Sequence, residues 1–216
     1  MSETLLKVDN LGITFGGLKA VQKVNMYLNR GELVGLIGPN GAGKTTMFNM
    51  LTGVYAPTEG SVVFGGKSIA GLDPYKVTRQ GISRTFQNIR LFKELSVLDN
   101  VKVANHGLAK HNLLSSIFRL PSHFKGEAKM EEESLAFLKI FGLDVYKDEL
   151  AKNLPYGMQR RLEIARALAA GPKLLLLDEP AAGMNPQETH DLMELIAFIQ
   201  KEFNLTILLI EHDMHL

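Results

Sequence analysis

The segment Gly38-Pro-Asn-Gly-Ala-Gly-Lys44-Thr45 matches the pattern G-x-x-x-x-G-K-[ST] and directly follows a short apolar run from Leu33 to Ile37. An apolar run that leads into glycines and then into a helical segment, here Thr46 to about Thr52, predicts a strand–loop–helix unit. Glycines let the loop backbone curl so that several N–H groups point inward at phosphate oxygens. The pattern arises by chance in about one chain of this length in a hundred. We therefore interpret this loop as a binding site for the phosphates of a nucleoside triphosphate.

Each part of the loop has a role in binding a triphosphate. Lys44 places a positive charge on the β- and γ-phosphates, and Thr45 offers a hydroxyl to Mg²⁺. The helix that follows adds the positive end of its dipole. The predicted phosphate-binding residues are Gly38, Pro39, Asn40, Gly41, Ala42, Gly43, Lys44, Thr45 and Thr46.

A second nucleotide-binding element lies far downstream, where the apolar run Leu174–Leu177 ends in Asp178 and Glu179. An apolar strand has no structural need for two adjacent acids at its tip. Asp178 can hold Mg²⁺ through water, as a Walker B acid does, and Glu179 is then placed to polarise an attacking water. A solvated strand end is the plainer alternative, but it does not explain the pairing of these acids with a phosphate loop.

The order of apolar segments indicates an α/β fold. Leu5–Phe15 and Ala20–Leu28 mix apolar and polar residues at the spacing of half-exposed strands in an edge sheet. Three continuous apolar runs predict strands buried on both faces of a parallel sheet: 33–37, 174–177 and 206–210. Only helical patterns occur from Ser96 to about Ala170. We expect a nucleotide-binding core of residues 1–95 and 171–216, with an inserted helical subdomain of residues 96–170.

Charge and composition exclude several classes of function. The 24 basic and 23 acidic residues give a net charge of +1, which offers no reason to expect nucleic acid as a partner. The chain has no cysteine, so disulfides and thiolate metal sites are impossible, and a reducing compartment is expected. No apolar run is long enough to span a bilayer, so a role at the membrane needs a partner that spans it.

The segment Leu154-Pro-Tyr-Gly-Met-Gln-Arg-Arg-Leu-Glu-Ile-Ala-Arg-Ala-Leu168 resembles the signature of ATP-binding-cassette (ABC) ATPases. Together with the phosphate loop, Asp178-Glu179 and His212, it completes that family's motif set in the usual order. The resemblance covers essentially the whole chain. It implies a P-loop NTPase core, an antiparallel edge sheet and a helical subdomain, with ATP and Mg²⁺ bound.

The resemblance implies roles for further residues, each of which alone has a plainer interpretation. Phe15 resembles the aromatic residue that stacks on adenine, although a core phenylalanine is an equal alternative. Gln87 resembles the loop glutamine that touches Mg²⁺ or the attacking water and senses the membrane-spanning partner. His212 resembles the switch histidine that contacts the γ-phosphate and positions the catalytic Glu179. The implied metal-binding residues are Thr45, Gln87 and Asp178. The remaining alternative is a metal cluster at the end of the last strand, formed by Glu211, His212, Asp213 and His215.

The signature and the D-loop depart from the family pattern at three positions. Pro155 stands where the family usually has Ser, Met158 where it has Gln, and Asn185 where the D-loop, which lies between the two ATPase subunits, has Asp. Pro155 removes a hydroxyl donor, but the backbone N–H groups of the helix start remain for ATP bound by a partner subunit. The residues expected to contact that partner's ATP are Tyr156, Gly157, Met158 and Gln159. Asn185, followed by Pro186 and Glu188, also fits a helix N-cap.

The sequence ends four residues after His212, where the family normally continues, so we expect residues 1–216 to be a single, C-terminally truncated ABC ATPase domain. One phosphate loop per chain means that a second ATPase subunit, identical or different, is required. Several features resemble the ATP-binding subunit of branched-chain amino-acid importers: Leu11 to Ala20 (with Thr14-Phe-Gly-Gly-Leu-Lys-Ala20), Arg84-Thr-Phe-Gln-Asn-Ile-Arg-Leu-Phe92, Tyr156 in the signature, and Glu179-Pro-Ala-Ala-Gly-Met-Asn-Pro186.

This narrower resemblance implies an ATPase that powers the uptake of leucine, isoleucine and valine. It also implies two membrane-spanning permease subunits, an extracytoplasmic solute-binding protein that acts indirectly, and a peripheral location on the cytoplasmic face of the cell membrane. Two alternatives stay open. The ATPase of an exporter, for example of lipopolysaccharide, would share every catalytic motif, and a soluble ABC regulatory ATPase would lack the permease.

Overall fold

The computed structural model describes residues 3–106 and 121–211. Its strands are β1 (Thr4–Phe15), β2 (Leu18–Asn29), β3 (Leu33–Ile37), β4 (Glu59–Phe64), β5 (Lys67–Ser68), β6 (Ile82–Arg84), β7 (Leu174–Asp178) and β8 (Thr206–Glu211). Its α-helices are α1 (Lys44–Leu51), α2 (Pro74–Gln80), α3 (Val97–His106), α4 (Pro121–Ile140), α5 (Tyr156–Ala169) and α6 (Pro186–Glu202). Two short 3₁₀ helices cover Asp144–Tyr146 and Ala151–Asn153. None of the helices in the described ranges has the length and apolarity that crossing a membrane requires.

The first sheet is antiparallel, with the strand order β2-β1-β4-β5. Leu6, Val8, Leu11 and Ile13 of β1 are buried, whereas most of β2 is half-buried or exposed. These two strands confirm the predicted pair of strands in an edge sheet. Their mixed pattern arises because one face packs on the core while the other meets solvent.

The second sheet is parallel, with the order β3-β8-β7-β6. Strands β7 and β8 are buried almost throughout, as their continuous apolar runs predict. The same prediction is wrong for β3, in which Leu33 is 43% and Ile37 50% exposed. Within the described part of the chain β3 pairs with β8 alone, so one of its edges and part of its faces remain uncovered.

Strand direction in this parallel sheet decides where the predicted site residues lie. Ile37 at the end of β3 pairs with Glu211 of β8, and Asp178 at the end of β7 pairs with Ile210 of β8. Parallel strands end at the same edge of a sheet. The segments that follow β3 and β7 therefore start from one edge, although some 140 residues separate them in sequence.

The chain divides into two compact units, Met1–Gln87 with Pro172–Leu216, and Asn88–Gly171. The first contains both sheets with α1, α2 and α6, and the second contains α3, α4 and α5. In the described part of the second unit, 88–106 and 121–171, the regular structure is helical, apart from one bridge between Ser96 and Leu150. The domain bounds expected from the sequence, 1–95 with 171–216 and 96–170, stay a prediction.

The start of α6 has the predicted cap. The Asn185 side-chain oxygen accepts a hydrogen bond from the Glu188 backbone N–H at 2.9 Å, and the Glu188 carboxylate accepts one from the Asn185 N–H at 3.0 Å. Pro186 occupies the first helical turn. Asn185 therefore caps the N-terminus of α6 with a complete capping box, which satisfies two backbone N–H groups at once.

We expect Asn185→Ala to lower the free energy of unfolding by about 0.5–2 kcal/mol, because the N–H of Glu188 loses its acceptor. Denaturant unfolding followed by circular dichroism measures the change. Gln187→Ala is the matched control, since it removes only an exposed side-chain bond to Asp191 on the same helix and should cost roughly 0.2–0.5 kcal/mol. Equal losses in the two variants would contradict the capping role.

Candidate functional site

The phosphate loop lies between β3 and α1, as the sequence predicts. Gly43 is the N-cap of α1 with a φ of 85°. A Cβ atom at this position would lie 2.9 Å from the Ala20 carbonyl oxygen and 2.9 Å from Cγ2 of Val21. Both the left-handed backbone and the close approach of β2 exclude other residues here. The glycine is thus required for the loop to turn directly into the helix.

Lys44 is the first residue of α1, and its ammonium group is held inside the loop. Its Nζ donates to the carbonyl oxygens of Gly38 at 2.5 Å and Pro39 at 3.1 Å. Only 8% of the residue is exposed. The first N–H groups of any α-helix have no partners within the helix, so the turn that begins at Lys44 presents donors together with a positive charge. This combination is suited to phosphate.

A cavity of about 400 Å³ opens above the loop. Its lining combines the predicted loop residues with residues from two other segments: Leu18, Lys19, Ala20, Asn40, Gly41, Ala42, Gly43, Lys44, Thr45, Thr46, Gln87 and Glu179. The structure therefore brings Gln87 and Glu179 to the phosphate loop from positions about 40 and 135 residues away. A cavity of this size falls in the range of small-molecule sites.

Glu179 is held in a strained backbone conformation, with a φ of 47°. Residues other than glycine rarely adopt this left-handed region, and such strain concentrates at functional sites. Its N–H donates to the Ile210 carbonyl at 3.1 Å, and its Oε2 accepts a hydrogen bond from Gln87 Nε2 at 2.9 Å. Glu179 is only 7% exposed. Its carboxylate thus reaches the cavity from a fixed, buried position.

Asp178 precedes Glu179 in the chain and does not itself line the cavity. Its carboxylate is buried, and its Oδ2 forms an ion pair of 2.7 Å with Nη2 of Arg84. Its Oδ1 is buried as well and has no hydrogen-bond partner among the described residues. A buried carboxylate oxygen without a partner is costly unless a ligand satisfies it.

The oxygen-rich donor set fits Mg²⁺. Thr45 and Gln87 line the same cavity, and the unpartnered Oδ1 belongs to Asp178, the residue before the cavity-lining Glu179. Mg²⁺ prefers oxygen ligands and retains water molecules, so a carboxylate that does not line the cavity can act through a water. No group of three or more His, Cys, Asp or Glu residues with metal-binding geometry occurs in 3–106 and 121–211.

Two polar residues of this region were missed at the sequence level. Arg84 and Asn49 form a hydrogen bond of 2.6 Å, and Arg84 also holds Asp178. Asn49 belongs to no motif. Arg84 was quoted only as the first residue of the stretch Arg84–Phe92, which resembles importer subunits, and no role was assigned to it. A further signal was its charge within the short run Ile82-Ser-Arg84-Thr-Phe86, which leads directly to Gln87.

Phe15 lies at the end of β1 and is 43% exposed, so it is not a core residue. Its ring meets Tyr55 edge to face, with the centroids 5.2 Å apart and an interplanar angle of 73°. The two rings form an exposed aromatic pair, and Tyr55 is a second residue that the sequence did not single out. Stacking of Phe15 on adenine stays a prediction.

The signature segment Leu154–Leu168 contains the N-cap and nearly all of α5. Pro155 is the N-cap and supplies no side-chain bond, and Tyr156 is 46% exposed. The Gln159 side chain donates back to the Leu154 carbonyl at 2.8 Å, which fixes the chain before the helix. Gly157 and Met158, which lie between Tyr156 and Gln159 in the chain, are each half-buried. Pro155 therefore leaves the helix start with backbone donors alone, as the departure from the family pattern implies.

Behind this helix start, α5 carries a buried ion pair. Arg160 is fully buried and its Nη1 lies 2.7 Å from Oε2 of Glu163, which is itself 1% exposed. The other Glu163 oxygen accepts the backbone N–H of Arg90 at 3.1 Å. Arg166 donates to the Arg90 carbonyl and stacks on Phe92, 5.4 Å from the ring centroid. Burial lowers the pKa of the Arg166 guanidinium, which nevertheless stays charged at neutral pH. Three charged residues of α5 thus hold the segment that follows Gln87 in the chain.

His212 lies outside the described residues, and so do Asp213 and His215 of the alternative metal cluster. Their predicted roles stay predictions. Glu211, the last described residue, ends β8 and is half-buried.

Comparison with known proteins identifies close relatives. A family model described as "ABC transporter" matches residues 21–182. The high-affinity branched-chain amino acid transport ATP-binding protein BraF of Pseudomonas aeruginosa is 48% identical over 216 residues, which covers 100% of this chain and 85% of the relative. The protein LivG of Escherichia coli strain K12, which carries the same description, gives the same identity and the same coverage.

Solved structures show the same fold. The ADP conformation of MJ1267, an ATP-binding cassette of an ABC transporter, has a TM-score of 0.83 at 32% identity, covering 99% of this chain and 83% of its own. The dimeric, post-hydrolysis structure of the ATP-binding cassette MJ0796 with ADP and phosphate has a TM-score of 0.80 at 26% identity, covering 97% and 89%. The predicted α/β fold with a P-loop NTPase core is confirmed by these structures.

Proposed function

The chain belongs to the ABC transporter family of ATPases, and from this membership we propose that it is the ATP-hydrolysing subunit of an importer for leucine, isoleucine and valine. The observation that carries the ATPase part is the cavity that gathers Lys44, Thr45, Gln87 and Glu179. The identity of 48% over the full chain with two branched-chain amino-acid transport subunits supports the substrate class.

In this proposal the loop Gly38–Thr45 binds the triphosphate. The backbone N–H groups at the start of α1 and the Lys44 ammonium neutralise the phosphate charge. For this, Lys44 exchanges its bonds to the Gly38 and Pro39 carbonyls for bonds to phosphate. Phe15 offers the exposed aromatic face for adenine.

Hydrolysis then requires a base beside the γ-phosphate. Glu179 orients and polarises a water for attack on the phosphorus, and His212 assists it from the segment after β8. The Gln87 amide, which donates to the Glu179 carboxylate, orients that base. Thr45, Gln87 and Asp178 would hold Mg²⁺, which would supply positive charge against the charge that develops on the phosphate oxygens.

A second ATPase subunit completes the site. The start of α5, Tyr156 to Gln159, presents backbone N–H groups to ATP held on the phosphate loop of the partner. Asn185 lies at the facing D-loop position in addition to its capping role. The dimeric cassette bound to ADP and phosphate supports pairing of this kind.

The transporter requires further subunits around this ATPase pair. We propose two membrane-spanning permease subunits, an extracytoplasmic solute-binding protein, and a peripheral position on the cytoplasmic face of the membrane. The family membership and the relatives described as transport ATP-binding proteins support this arrangement. An exporter would use the same catalytic residues. Only the transported substrate and its direction therefore distinguish an importer from an exporter.

Reconstitution of the complete transporter in proteoliposomes tests the substrate class. With the solute-binding protein present, leucine, isoleucine and valine should each stimulate ATP hydrolysis and accumulate inside the vesicles, because import couples both events. Lysine serves as the control amino acid and should do neither. Stimulation by a lipid or lipopolysaccharide, with no response to the three amino acids, would contradict import and favour the exporter.

A further inference from the structure

Arg84 joins three elements, β6, β7 and α1. It ends β6, three residues before Gln87. Its Nη2 donates to Oδ2 of Asp178 on β7 at 2.7 Å, and its Nη1 donates to Oδ1 of Asn49 on α1 at 2.6 Å. The Arg84 side chain is 6% exposed and that of Asp178 is 2% exposed. Solvent therefore hardly screens this pair of charges.

Two aromatic rings hold the guanidinium in place. Its central carbon lies 5.4 Å from the centroid of Phe48 and 4.9 Å from that of Phe86. A planar guanidinium packed on rings and bonded through two of its nitrogens cannot turn without losing both kinds of contact. The Arg84 fork is thus a rigid spacer between α1 and β7.

The two elements that this spacer joins carry two of the three proposed metal-binding residues, Thr45 and Asp178. Thr45 precedes Asn49 by four residues on α1, so both lie on the same helix face one turn apart. At the other end, Arg84 takes only Oδ2 of Asp178 and leaves Oδ1 without a partner in the described structure. Rotation of this carboxylate would break its charged bond to Arg84.

We propose that Arg84 is a positioning residue for the magnesium site. It fixes the orientation of the Asp178 carboxylate so that Oδ1 serves the metal, and it sets the separation between that carboxylate and the helix that carries Thr45. The inference rests on the proposed function, since it assumes that Asp178 and Thr45 serve Mg²⁺. Arg84 itself contacts neither nucleotide nor metal.

A purely structural ion pair is the competing explanation. Buried ion pairs contribute little net stability compared with apolar side chains of similar volume, so their presence alone does not indicate function. The two explanations differ in what the loss of Arg84 changes. If the ion pair is purely structural, loss of Arg84 lowers the stability of the fold and leaves the metal affinity of the folded protein unchanged. If Arg84 is a positioning residue, its loss weakens the metal affinity of the folded protein.

The experiment compares Arg84→Met, Arg84→Lys and Asn49→Ala in the full transporter for the Mg²⁺ dependence of ATP hydrolysis, and in the purified subunit for binding of trinitrophenyl-ATP. Loss of a group that orients a metal ligand weakens metal affinity about 10- to 100-fold. We therefore expect Arg84→Met to raise the Mg²⁺ concentration for half-maximal hydrolysis at least about tenfold. Binding of trinitrophenyl-ATP in EDTA should stay within about twofold, because the loop that binds the phosphates is intact.

Arg84→Lys keeps the charge but loses the fork, so it should recover only part of the Mg²⁺ affinity. Asn49→Ala removes one of the two hydrogen bonds of the Arg84 guanidinium. It should raise the Mg²⁺ concentration for half-maximal hydrolysis by a smaller factor than Arg84→Met does. Arg30→Met is the control, since it removes an arginine ion pair with Glu3 at the surface of the same unit and should leave the Mg²⁺ dependence unchanged.

An unchanged Mg²⁺ dependence in folded Arg84→Met would overturn the inference. If that variant does not fold, Arg84→Lys decides by the same criterion, because its ammonium still compensates the buried carboxylate. Asp178→Asn separates this result from a failure of the proposed function. If Asp178→Asn also leaves the Mg²⁺ dependence unchanged, the assignment of Asp178 to the metal is wrong, and the inference fails with it.

Discussion

Glu179→Gln is expected to reduce ATP hydrolysis by about 100- to 10,000-fold while ATP binding is retained. The amide keeps the shape of the side chain and can still form a hydrogen bond with Gln87, but it cannot polarise the attacking water as a carboxylate does. The phosphate loop, on separate residues, is unaffected. Phosphate release from the assembled transporter measures the turnover, and trinitrophenyl-ATP fluorescence measures the binding.

Glu194→Gln is the matched control, because it makes the same chemical change at an exposed position of α6 and should leave hydrolysis unchanged. Near-normal turnover in Glu179→Gln would remove Glu179 from the role of base. A joint loss of turnover and ATP binding would instead mean that Glu179 shapes the cavity rather than acting on water.

Glu163→Ala is expected to destabilise the helical unit by about 3–5 kcal/mol, because it leaves the fully buried Arg160 guanidinium without its carboxylate. It also removes the acceptor of the Arg90 backbone N–H. For a chain of this length the loss corresponds to a decrease of roughly 6–20 °C in melting temperature. Differential scanning calorimetry of the purified subunit measures it.

Glu94→Ala is the control for burial. Glu94 and Lys152 form an ion pair of 2.6 Å in the same unit, as short as the Arg160–Glu163 pair, but both side chains are substantially exposed. Its loss should cost less than about 1 kcal/mol, since water replaces the lost partner. Similar losses in Glu163→Ala and Glu94→Ala would show that burial of the Arg160 pair is not decisive. A double variant, Arg160→Met with Glu163→Leu, should recover much of the stability.

Local patterns account for what the sequence predicted well. The loop Gly38–Thr45 is a contiguous motif in which glycine, lysine and threonine are each required by phosphate chemistry at a fixed spacing. The runs that became β7 and β8 are continuously apolar because both of their faces are covered. Asn185 and Glu188, three positions apart in the chain, form a capping box. All these features depend on neighbours in the chain, which a sequence displays directly.

The features that the sequence did not predict depend instead on residues that are distant in the chain or on tertiary packing. Strand β3 has the same apolar pattern as β7, yet Leu33 and Ile37 are exposed, because burial depends on which strands lie beside it. Arg84 was named only for a family resemblance of the stretch Arg84–Phe92, with no role assigned, and its partners come from positions 35 and 94 residues away. The pair of Arg160 and Glu163 has helical spacing, but nothing in that spacing indicates complete burial.

The phosphate-loop motif, the two acids at the end of β7 and the signature segment could be found in the sequence itself, since each is defined by the identity and order of neighbouring residues. Only the tertiary structure decided that Gln87 meets Glu179 at 2.9 Å, that Glu179 adopts a left-handed backbone, and that Arg84 leaves one oxygen of Asp178 unpartnered among the described residues. These are contacts between separate strands and helices. They are set by how parallel strands align their ends at one edge of the sheet, and that alignment depends on the packing of the whole core.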